Sequence, residues 1–393
     1  MTPRIRLAKP QADEAEVEAI RSVLASGILT NGPKTEEFER AFAELHEVPH
    51  AVALANGTVA LAAMLLASDI GPGDEVIVPS MTFVSTATAV RHVGATPVFA
   101  DIHADTFDLD PEDVARRITS RTKAVMVVHY GGQPADLPGL AALAEDRGIL
   151  LLEDAAQAHG ARLHGRYVGG WGRAAMFSFT PTKNITTGEG GIVTTADADV
   201  AERLRLLRNH GMTAPYRHEV LGFNWRLTEL QAAMGVVQLG RLSGILATKR
   251  RNAERMAALL RETPGVRPPT VRDGAEHPFM LYTVLLDERV DRDAVLAELQ
   301  EAGIEAKVYF PPVHRQPIFR DVAGAVRLDR TEDVARRMLS LPFHAALTDE
   351  ELEFLAERLT RAVTARLQGA REDRSGGSGP DGRRARPASL ADR

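Results

Sequence analysis

Short apolar segments alternate with longer segments of helical periodicity between about residue 50 and residue 195. Several of the short segments are apolar almost throughout, which is typical of strands that are buried on both faces of a sheet. Strands that alternate with helices favour a parallel, doubly wound sheet. The predicted strands are AVALA (51–55), EVIVPS (75–80), TPVFADI (96–102), AVMVVHY (124–130), ILLLEDA (149–155), AMFSF (175–179) and GIVTT (191–195).

The second part of the chain has a different pattern. A long helical segment follows Leu227, with weak breaks near Gly240 and Ser243. Two strands are then predicted, at FMLYTVLL (279–286) and AKVYF (306–310), with a helix between them. This order of elements predicts a smaller α+β domain beside the sheet domain.

The chain ends in a predicted helix and a polar tail. The helix covers residues 348–367 and begins with Thr348 and Glu351, which form a capping box. The tail has almost no apolar side chains, so we expect it to be disordered. A basic arm that binds a partner is the less favoured alternative. The predicted domains are therefore residues 1–245 (an N-terminal arm and the large α/β domain), residues 246–367 (the small domain) and residues 368–393 (the tail).

Composition narrows the class of protein. The chain has 393 residues, of which 44% are hydrophobic and 25% are charged, as is typical of a globular protein in water. A net charge of −6 is small for this length, so no nucleic-acid partner is expected. No apolar run of about 18 residues predicts a membrane span, and no signal peptide is expected. The absence of cysteine excludes disulfides and thiolate metal sites. We expect a cytoplasmic protein and predict no metal site.

Two residues at the predicted sheet edge carry candidate chemistry. Asp154 ends an apolar strand, and Lys183 lies in the loop after another strand. Open parallel sheets bind ligands at the carboxyl ends of their strands. A lysine that forms an imine and a carboxylate that keeps a pyridine nitrogen protonated are the two groups that pyridoxal phosphate requires. This pair predicts a pyridoxal-phosphate site.

Each residue also has a more common explanation when it is taken alone. A strand-end aspartate is more often a helix cap, and a loop lysine is usually a solvated charge. The surrounding loop changes the balance, because its hydroxyl and amide groups suit a phosphate beside the lysine. These groups belong to Ser178, Thr180, Thr182, Asn184, Thr186 and Thr187.

Two further features could complete such a site. Asn56-Gly57-Thr58 separates a predicted strand from a helix, and helix amino termini attract phosphate. The same residues could be a simple helix cap. Phe83 follows another strand and could stack on a flat ring, although a core phenylalanine is the commoner case.

The chain resembles the DegT/DnrJ/EryC1/StrS family of sugar aminotransferases, which are fold-type-I pyridoxal-phosphate enzymes. The resemblance extends from near the first residue to about residue 365. The resembling segments include ALANGTVAL (53–61), EVIVPSMTFVSTATAV (75–90), LLEDAAQAHGA (151–161), FSFTPTKNITTGEGG (177–191), GFNWRLTELQAAMG (222–235) and VYFPPVHRQP (308–317). It implies a large domain with a mostly parallel sheet flanked by helices, and a smaller C-terminal α+β domain.

The resemblance also implies roles for residues. Lys183 would form the Schiff base with pyridoxal 5′-phosphate and shuttle protons, and Asp154 would pair with the ring nitrogen. Gln157 would reach the 3-hydroxyl, and Phe83 would stack on the ring. The phosphate would be held by Ser178, Gly57, Thr58 and, from a second subunit, Asn224, which implies a homodimer with shared active sites. Arg226, Tyr309 and His314 are candidates for the sugar or donor pocket, and each could equally be structural.

The implied reaction moves an amino group from an amino acid, by resemblance L-glutamate, to a keto-sugar. Nucleotide-linked 3-keto and 4-keto hexoses and a keto-cyclitol are all open as acceptors, and the resemblance of the PTKNITTGEGG loop (181–191) favours a nucleotide-linked sugar. Thr180 stands where many relatives have histidine. Because threonine is smaller and does not titrate, we expect the pocket near the cofactor or sugar to differ from theirs. A sugar dehydratase is an alternative, but relatives of that kind replace the lysine that is present here as Lys183. A non-catalytic sensor on the same fold is a second alternative. An NAD-linked enzyme is disfavoured, because no GxGxxG follows an early strand.

Overall fold

The computed structural model describes residues 4–375 of the chain. Its helices are α1 (Glu14–Ser26), α2 (Pro33–Leu45), α3 (Gly57–Ala67), α4 (Ser85–His92), α5 (Pro111–Arg117), α6 (Leu137–Arg147), α7 (Ala198–Arg208), α8 (Glu229–Leu260), α9 (Arg292–Glu301), α10 (Arg320–Ala323), α11 (Asp329–Arg337) and α12 (Asp349–Ser375). Its strands are β1 (His50–Leu54), β2 (Glu75–Pro79), β3 (Thr96–Ala100), β4 (Thr122–Val128), β5 (Leu150–Asp154), β6 (Arg162–Leu163), β7 (Arg166–Tyr167), β8 (Ala174–Ser178), β9 (Gly191–Thr195), β10 (Met212–Ala214), β11 (Arg217–His218), β12 (Val266–Arg267), β13 (Ala275–Glu276), β14 (Tyr282–Leu286) and β15 (Met338–Leu341).

A seven-stranded sheet forms the centre of the fold, in the order β1-β9-β8-β5-β4-β2-β3. Strand β9 is antiparallel to both of its neighbours, and the other neighbouring pairs are parallel. All seven strands that the apolar pattern predicted are present. The predicted mostly parallel α/β sheet is therefore confirmed.

Helices cover both faces of this sheet. Alternate residues of β4 point to opposite sides, so Val125 and Val127 lie in one core cluster while Ala124 and Met126 lie in the other. The first cluster includes residues of α2, α6 and α8, and the second includes residues of α3, α4 and α7. Burial on both faces explains why the strands are apolar at nearly every position.

The C-terminal part packs α9 and α12 against an antiparallel sheet in the order β12-β14-β15. Ile5 joins this unit, because it pairs with Ile304 and its N–H donates to the Gly303 carbonyl at 3.0 Å. The first residues of the chain therefore pack with the C-terminal part, although they were predicted to belong with residues 1–245. Helix α8 also runs unbroken through Gly240, Ser243 and the predicted boundary after residue 245.

Two predictions for the C-terminal part are wrong. Residues 306–310 form no strand, and only Lys307 makes an isolated bridge, to Ser340. The two prolines that follow, Pro311 and Pro312, have no N–H to continue a ladder, and β15 pairs with β14 instead. The predicted tail also begins too early, because α12 continues to Ser375. Residues 376–393 of the predicted tail lie outside the described residues.

Helix α12 begins with the predicted capping box, and α8 is a long apolar helix of the protein core. The capping box of α12 is confirmed: the N–H of Glu351 donates to Thr348 Oγ1 at 3.2 Å, and the N–H of Thr348 donates to Glu351 Oε2 at 3.0 Å. Among the helices of residues 4–375, α8 is the one that is long and apolar enough to cross a membrane by length and composition. Its buried residues pack against α1, α2 and α12, so its apolar side belongs to the protein core.

Candidate active site

The candidate residues converge at one edge of the central sheet. Asp154 is the last residue of β5 and Ser178 is the last residue of β8, while Lys183 lies in the loop that follows β8. Gly57 begins α3 after β1, and Phe83 lies between β2 and α4. Because β1, β2, β5 and β8 run in the same direction, their carboxyl ends meet at this edge.

Asp154 is a buried carboxylate with two hydrogen bonds. Its Oδ2 accepts from Thr86 Oγ1 at 2.7 Å, and its Oδ1 accepts from the N–H of Ala156 at 3.1 Å. Burial raises the pKa of Asp154, against the hydrogen bond from Thr86 and the charge of Lys183. A buried carboxylate in this state is stabilised by a cationic partner.

Lys183 is partly buried in the turn after β8. Its N–H donates to the Thr180 carbonyl at 3.0 Å, which closes the turn. Burial lowers the pKa of Lys183 to about 8, although the charge of Asp154 acts in the opposite direction. A lysine with this pKa has a usable fraction of neutral, nucleophilic amine near neutral pH.

The amino termini of α3 and α4 bring polar groups together beside Ser178. Asn56 caps α3 by accepting from the N–H of Val59 at 3.0 Å, and Thr58 Oγ1 lies 2.8 Å from Ser85 Oγ. A Cβ on Gly57 would lie 3.1 Å from both Cβ and Oγ of Ser178, which is tighter than most side-chain contacts, so this close approach favours glycine. Free N–H groups and hydroxyls in this arrangement suit a phosphate.

Gln157 and Phe83 complete the edge. Gln157 is buried, and its Oε1 accepts from the N–H of Gly131 at 2.6 Å, which fixes the orientation of the amide. The Phe83 side chain is 53% exposed, with its ring centre 5.8 Å from that of Phe310. An aromatic ring that is left exposed at a ligand-binding edge is available for stacking.

Asn224, Arg226 and Tyr309 lie in loops outside the central sheet. Asn224 is exposed and pairs with Asn209 in an isolated bridge, and Arg226 donates to Asn209 Oδ1 at 2.8 Å. This segment lies beside the connection between β1 and α3, because the N–H of Ala55 donates to the Trp225 carbonyl at 2.9 Å. The Tyr309 ring is stacked on that of Phe310, with centres 4.8 Å apart.

His314 is buried, and both of its ring nitrogens have partners within the chain. Its Nδ1 lies 2.6 Å from Ser80 Oγ, and its Nε2 lies 3.1 Å from Glu332 Oε1. Burial lowers the pKa of His314, against its hydrogen bond with Glu332. The sequence allowed either a structural role or a substrate contact for His314. Because both ring nitrogens already have partners, the structure favours the structural role.

Two residues of the site were missed by the sequence reasoning. Thr86 donates to Asp154 and accepts in turn from Thr82, 2.7 Å away, while Ser85 contacts Thr58. Both lie in SMTFVSTATAV, in the connection that carries Phe83. The run of hydroxyl residues at the start of a helix, at the same sheet edge, was the available signal.

The architecture of the sheet, its one reversed strand and the Asp154–Lys183 pair define the class as a fold-type-I aminotransferase. The DegT/DnrJ/EryC1/StrS aminotransferase family model matches residues 10–360, so the chain belongs to this family. The prediction of the family from sequence motifs is confirmed.

Relatives and solved structures agree with this assignment. GDP-perosamine synthase from Caulobacter vibrioides is 41% identical, with 92% of this chain and 99% of that protein covered. UDP-N-acetyl-3-dehydro-alpha-D-glucosamine 3-aminotransferase from Acidithiobacillus ferrooxidans is 40% identical, with coverage of 90% and 95%. The crystal structure of DesV from S. venezuelae in complex with a ketimine intermediate superposes with a TM-score of 0.87, at 39% identity and coverage of 92% and 98%.

Proposed function

We propose that this aminotransferase binds pyridoxal 5′-phosphate through Lys183 and transfers an amino group from an amino acid to a nucleotide-linked keto-sugar. The observation that carries the proposal is the pairing of two groups at one sheet edge. Lys183 has its pKa lowered to about 8 by burial, and the neighbouring Asp154 is a buried carboxylate whose pKa is raised by burial. These are the nucleophile and the ring partner that this cofactor needs.

The residues at the edge fit the cofactor. Gly57 gives the close backbone approach beside Ser178 that a phosphate group requires, and Thr58 adds a hydroxyl. Phe83 offers an exposed ring for stacking. Gln157, with its Oε1 already bound to Gly131, keeps its amide nitrogen as the group that would reach the 3-hydroxyl.

Bound pyridoxal phosphate supplies an electron-accepting ring that stabilises negative charge at the carbon from which a proton is removed. The chain supplies the proton transfers. In its neutral form the Nζ of Lys183 would take the proton from the α-carbon of the amino donor, which we propose to be L-glutamate, and pass it to C4′ of the cofactor. With the keto-sugar it would move a proton in the opposite direction, from C4′ to the carbon that receives the amino group. Asp154 in its ionised form holds the proton on the ring nitrogen, and Thr86 orients this carboxylate.

The names of the relatives support a nucleotide-linked acceptor. One relative is a GDP-perosamine synthase and another acts on a UDP-linked 3-dehydro sugar. Arg226 and Tyr309 are proposed to line the sugar or donor pocket, and Thr180 leaves more room in it than a histidine would. Relatives named for different sugars resemble this chain to similar degrees, so the proposal does not extend to a single hexose.

We further propose a homodimer in which Asn224 contacts the phosphate bound in the partner's site. Three observations support it. Asn224 is exposed, its segment lies beside the β1–α3 connection, and the nearby hairpin leaves Tyr216 92% exposed and Leu221 86% exposed. Exposed apolar side chains that occur close together, rather than scattered singly, are typical of contact surfaces. A cytoplasmic location stays a prediction.

A panel assay tests the proposed function. Purified protein with pyridoxal phosphate and L-glutamate is offered GDP-, UDP- and dTDP-linked 3-keto and 4-keto hexoses, and release of 2-oxoglutarate is measured. At least one acceptor should give stoichiometric 2-oxoglutarate and amino-sugar. A dehydrated sugar without 2-oxoglutarate would indicate a dehydratase. Binding of cofactor and sugar without any turnover would indicate a sensor.

A further inference from the structure

Lys249 is a buried lysine that the proposed chemistry does not use. It lies on α8 with 4% of its surface exposed, and its Nζ donates a 2.7 Å hydrogen bond to Oδ1 of Asn184. The same Nζ lies 5.7 Å from the centre of the Phe343 ring. Within the described part of the chain, no carboxylate pairs with this amine, and burial lowers the pKa of Lys249 to about 7.

Stability alone does not account for a lysine at this position. Burying a charge without a carboxylate partner destabilises the folded state, and an apolar side chain of similar length would pack at lower cost. The titratable groups that face Lys249 do not compensate for its charge. Burial, together with the charge of Lys249, lowers the pKa of His277 to about 3 and that of His344 to about 4, so both are neutral at neutral pH.

The partner of Lys249 is the residue that follows Lys183. Asn184 is buried, and its side-chain amide has two hydrogen-bond partners from different parts of the chain. Its Oδ1 accepts from Lys249 on α8, and its Nδ2 donates to the carbonyl of Pro278, before β14, at 3.3 Å. Both the oxygen and the nitrogen of the Asn184 amide are therefore hydrogen-bonded, one residue after Lys183.

We propose that Lys249 is a positioning residue for Lys183. By holding the Asn184 amide, it keeps the backbone of the β8 loop in place, so that the Lys183 amine stays at the sheet edge beside Asp154. The bond needs a donor long enough to reach Asn184 from α8, and both the charged and the neutral amine of Lys249 can donate. The inference rests on the proposed function of Lys183 and extends it to a residue outside the cofactor site.

The test measures Lys183 in the protein without cofactor. Competitive labelling with acetic anhydride, followed by peptide mass spectrometry, gives the pH midpoint of Lys183 in the wild type and in Lys249→Met. If the loop loosens, Lys183 becomes more hydrated, so its midpoint should rise by about half to one pH unit. Two titratable groups face Lys183, namely Asp154 and His159, and both are unchanged in this variant.

The loaded enzyme provides a second readout. For Lys249→Met, we expect kcat to fall about tenfold while KM for both substrates changes by less than about twofold, because the variant removes positioning of the reacting amine rather than binding. Asn252→Ala is the matched control, because Asn252 is fully buried three residues further along α8 and bonds to Arg251 rather than to Asn184. It should lower Tm without moving the Lys183 midpoint or kcat.

The outcomes separate the two proposals. An unchanged Lys183 midpoint in folded Lys249→Met, or an equal shift in Asn252→Ala, would overturn the positioning role. If Lys249→Met does not fold, Asn184→Ala breaks the same bond from its other side and should give the same shift; no shift would again overturn the role. Failure of the wild-type protein to take up pyridoxal phosphate would instead overturn the proposed function, since the labelling experiment contains no cofactor.

Discussion

Thr86 donates its hydroxyl hydrogen to Oδ2 of Asp154 over 2.7 Å, and its own oxygen accepts from Thr82. This bond links the start of α4 to the end of β5, across the edge where the ligand is proposed to bind. Burial raises the pKa of Asp154, and the hydroxyl of Thr86 opposes that rise by stabilising the ionised carboxylate. Thr86 therefore helps to keep Asp154 ionised and correctly oriented.

Replacing Thr86 with valine should weaken the site without changing its shape. Loss of a hydrogen bond to a charged group is expected to lower kcat about tenfold or more. Because the bond lowers the pKa of Asp154, the acid limb of the pH–rate profile should move to higher pH. Thr88→Val, on the same helix, is the control. Equal pH profiles for Thr86→Val and the wild type would contradict the assigned role.

Gly57→Ala should interfere with phosphate binding. The new Cβ would lie 3.1 Å from Cβ and Oγ of Ser178, so the amino terminus of α3 or Ser178 must move. Overpacking of about 1–3 kcal/mol predicts a cofactor Kd that is about tenfold higher or more, measured by equilibrium titration. Gly240→Ala is the control, because its Cβ meets nothing within 4 Å in α8. An unchanged Kd in Gly57→Ala would place the phosphate elsewhere.

Loading of the cofactor should depend on pH through Lys183. Its amine must be neutral to attack an aldehyde, and burial lowers the pKa of Lys183 from 10.5 to about 8. The rate of cofactor uptake should therefore rise through about pH 8 and level off above it. Stability of the cofactor-free protein should increase between about pH 8 and 10.5, where the unfolded chain still binds the proton that the folded chain has lost. A rate that rises only near pH 10.5 would show that Lys183 is not desolvated.

Shared active sites can be tested by complementation. Lys183→Ala and Asn224→Ala should each be nearly inactive as homodimers. Mixed dimers contain one site in which both residues are intact, so random exchange should restore about a quarter of wild-type activity. Mixing Lys183→Ala with Asp154→Ala is the control: these two residues belong to the same subunit's site, so each site of the mixed dimer lacks one of them and no activity should return. If the Asn224→Ala mixture also stays inactive, as the control does, Asn224 acts within its own subunit and the shared site is contradicted.

The central sheet could be predicted because its local and tertiary requirements agree. Strands such as β4 and β5 are buried on both faces, so their sequences are apolar throughout and stand out from the helical segments. The apolar pattern does not predict the edge strand β15, and it predicts a strand at residues 306–310 that the structure does not form. Outside the alternation of strands and helices in the large domain, a short apolar segment does not by itself show whether it forms a strand that pairs with β14.

The candidate site was predictable where chemistry imposes a residue type. Asp154 and Lys183 each follow from strand position and motif, whereas Lys249 does not. In the sequence, Lys249 stands before two arginines, a pattern that indicates a solvated helix face. Only the fold brings this side chain to Asn184, 65 residues away in the chain. Contacts of this kind depend on how α8 packs against the β8 loop, which no local pattern specifies.

The central claim is that Lys183 holds the cofactor, and reductive trapping tests it most directly. Protein loaded with pyridoxal phosphate is reduced with borohydride and digested, and the modified peptide is identified by mass spectrometry. The predicted result is a single phosphopyridoxyl group on Lys183, with none trapped in Lys183→Ala. Trapping on another lysine, above all the buried Lys249, or no trapping at all in the wild type, would contradict the claim.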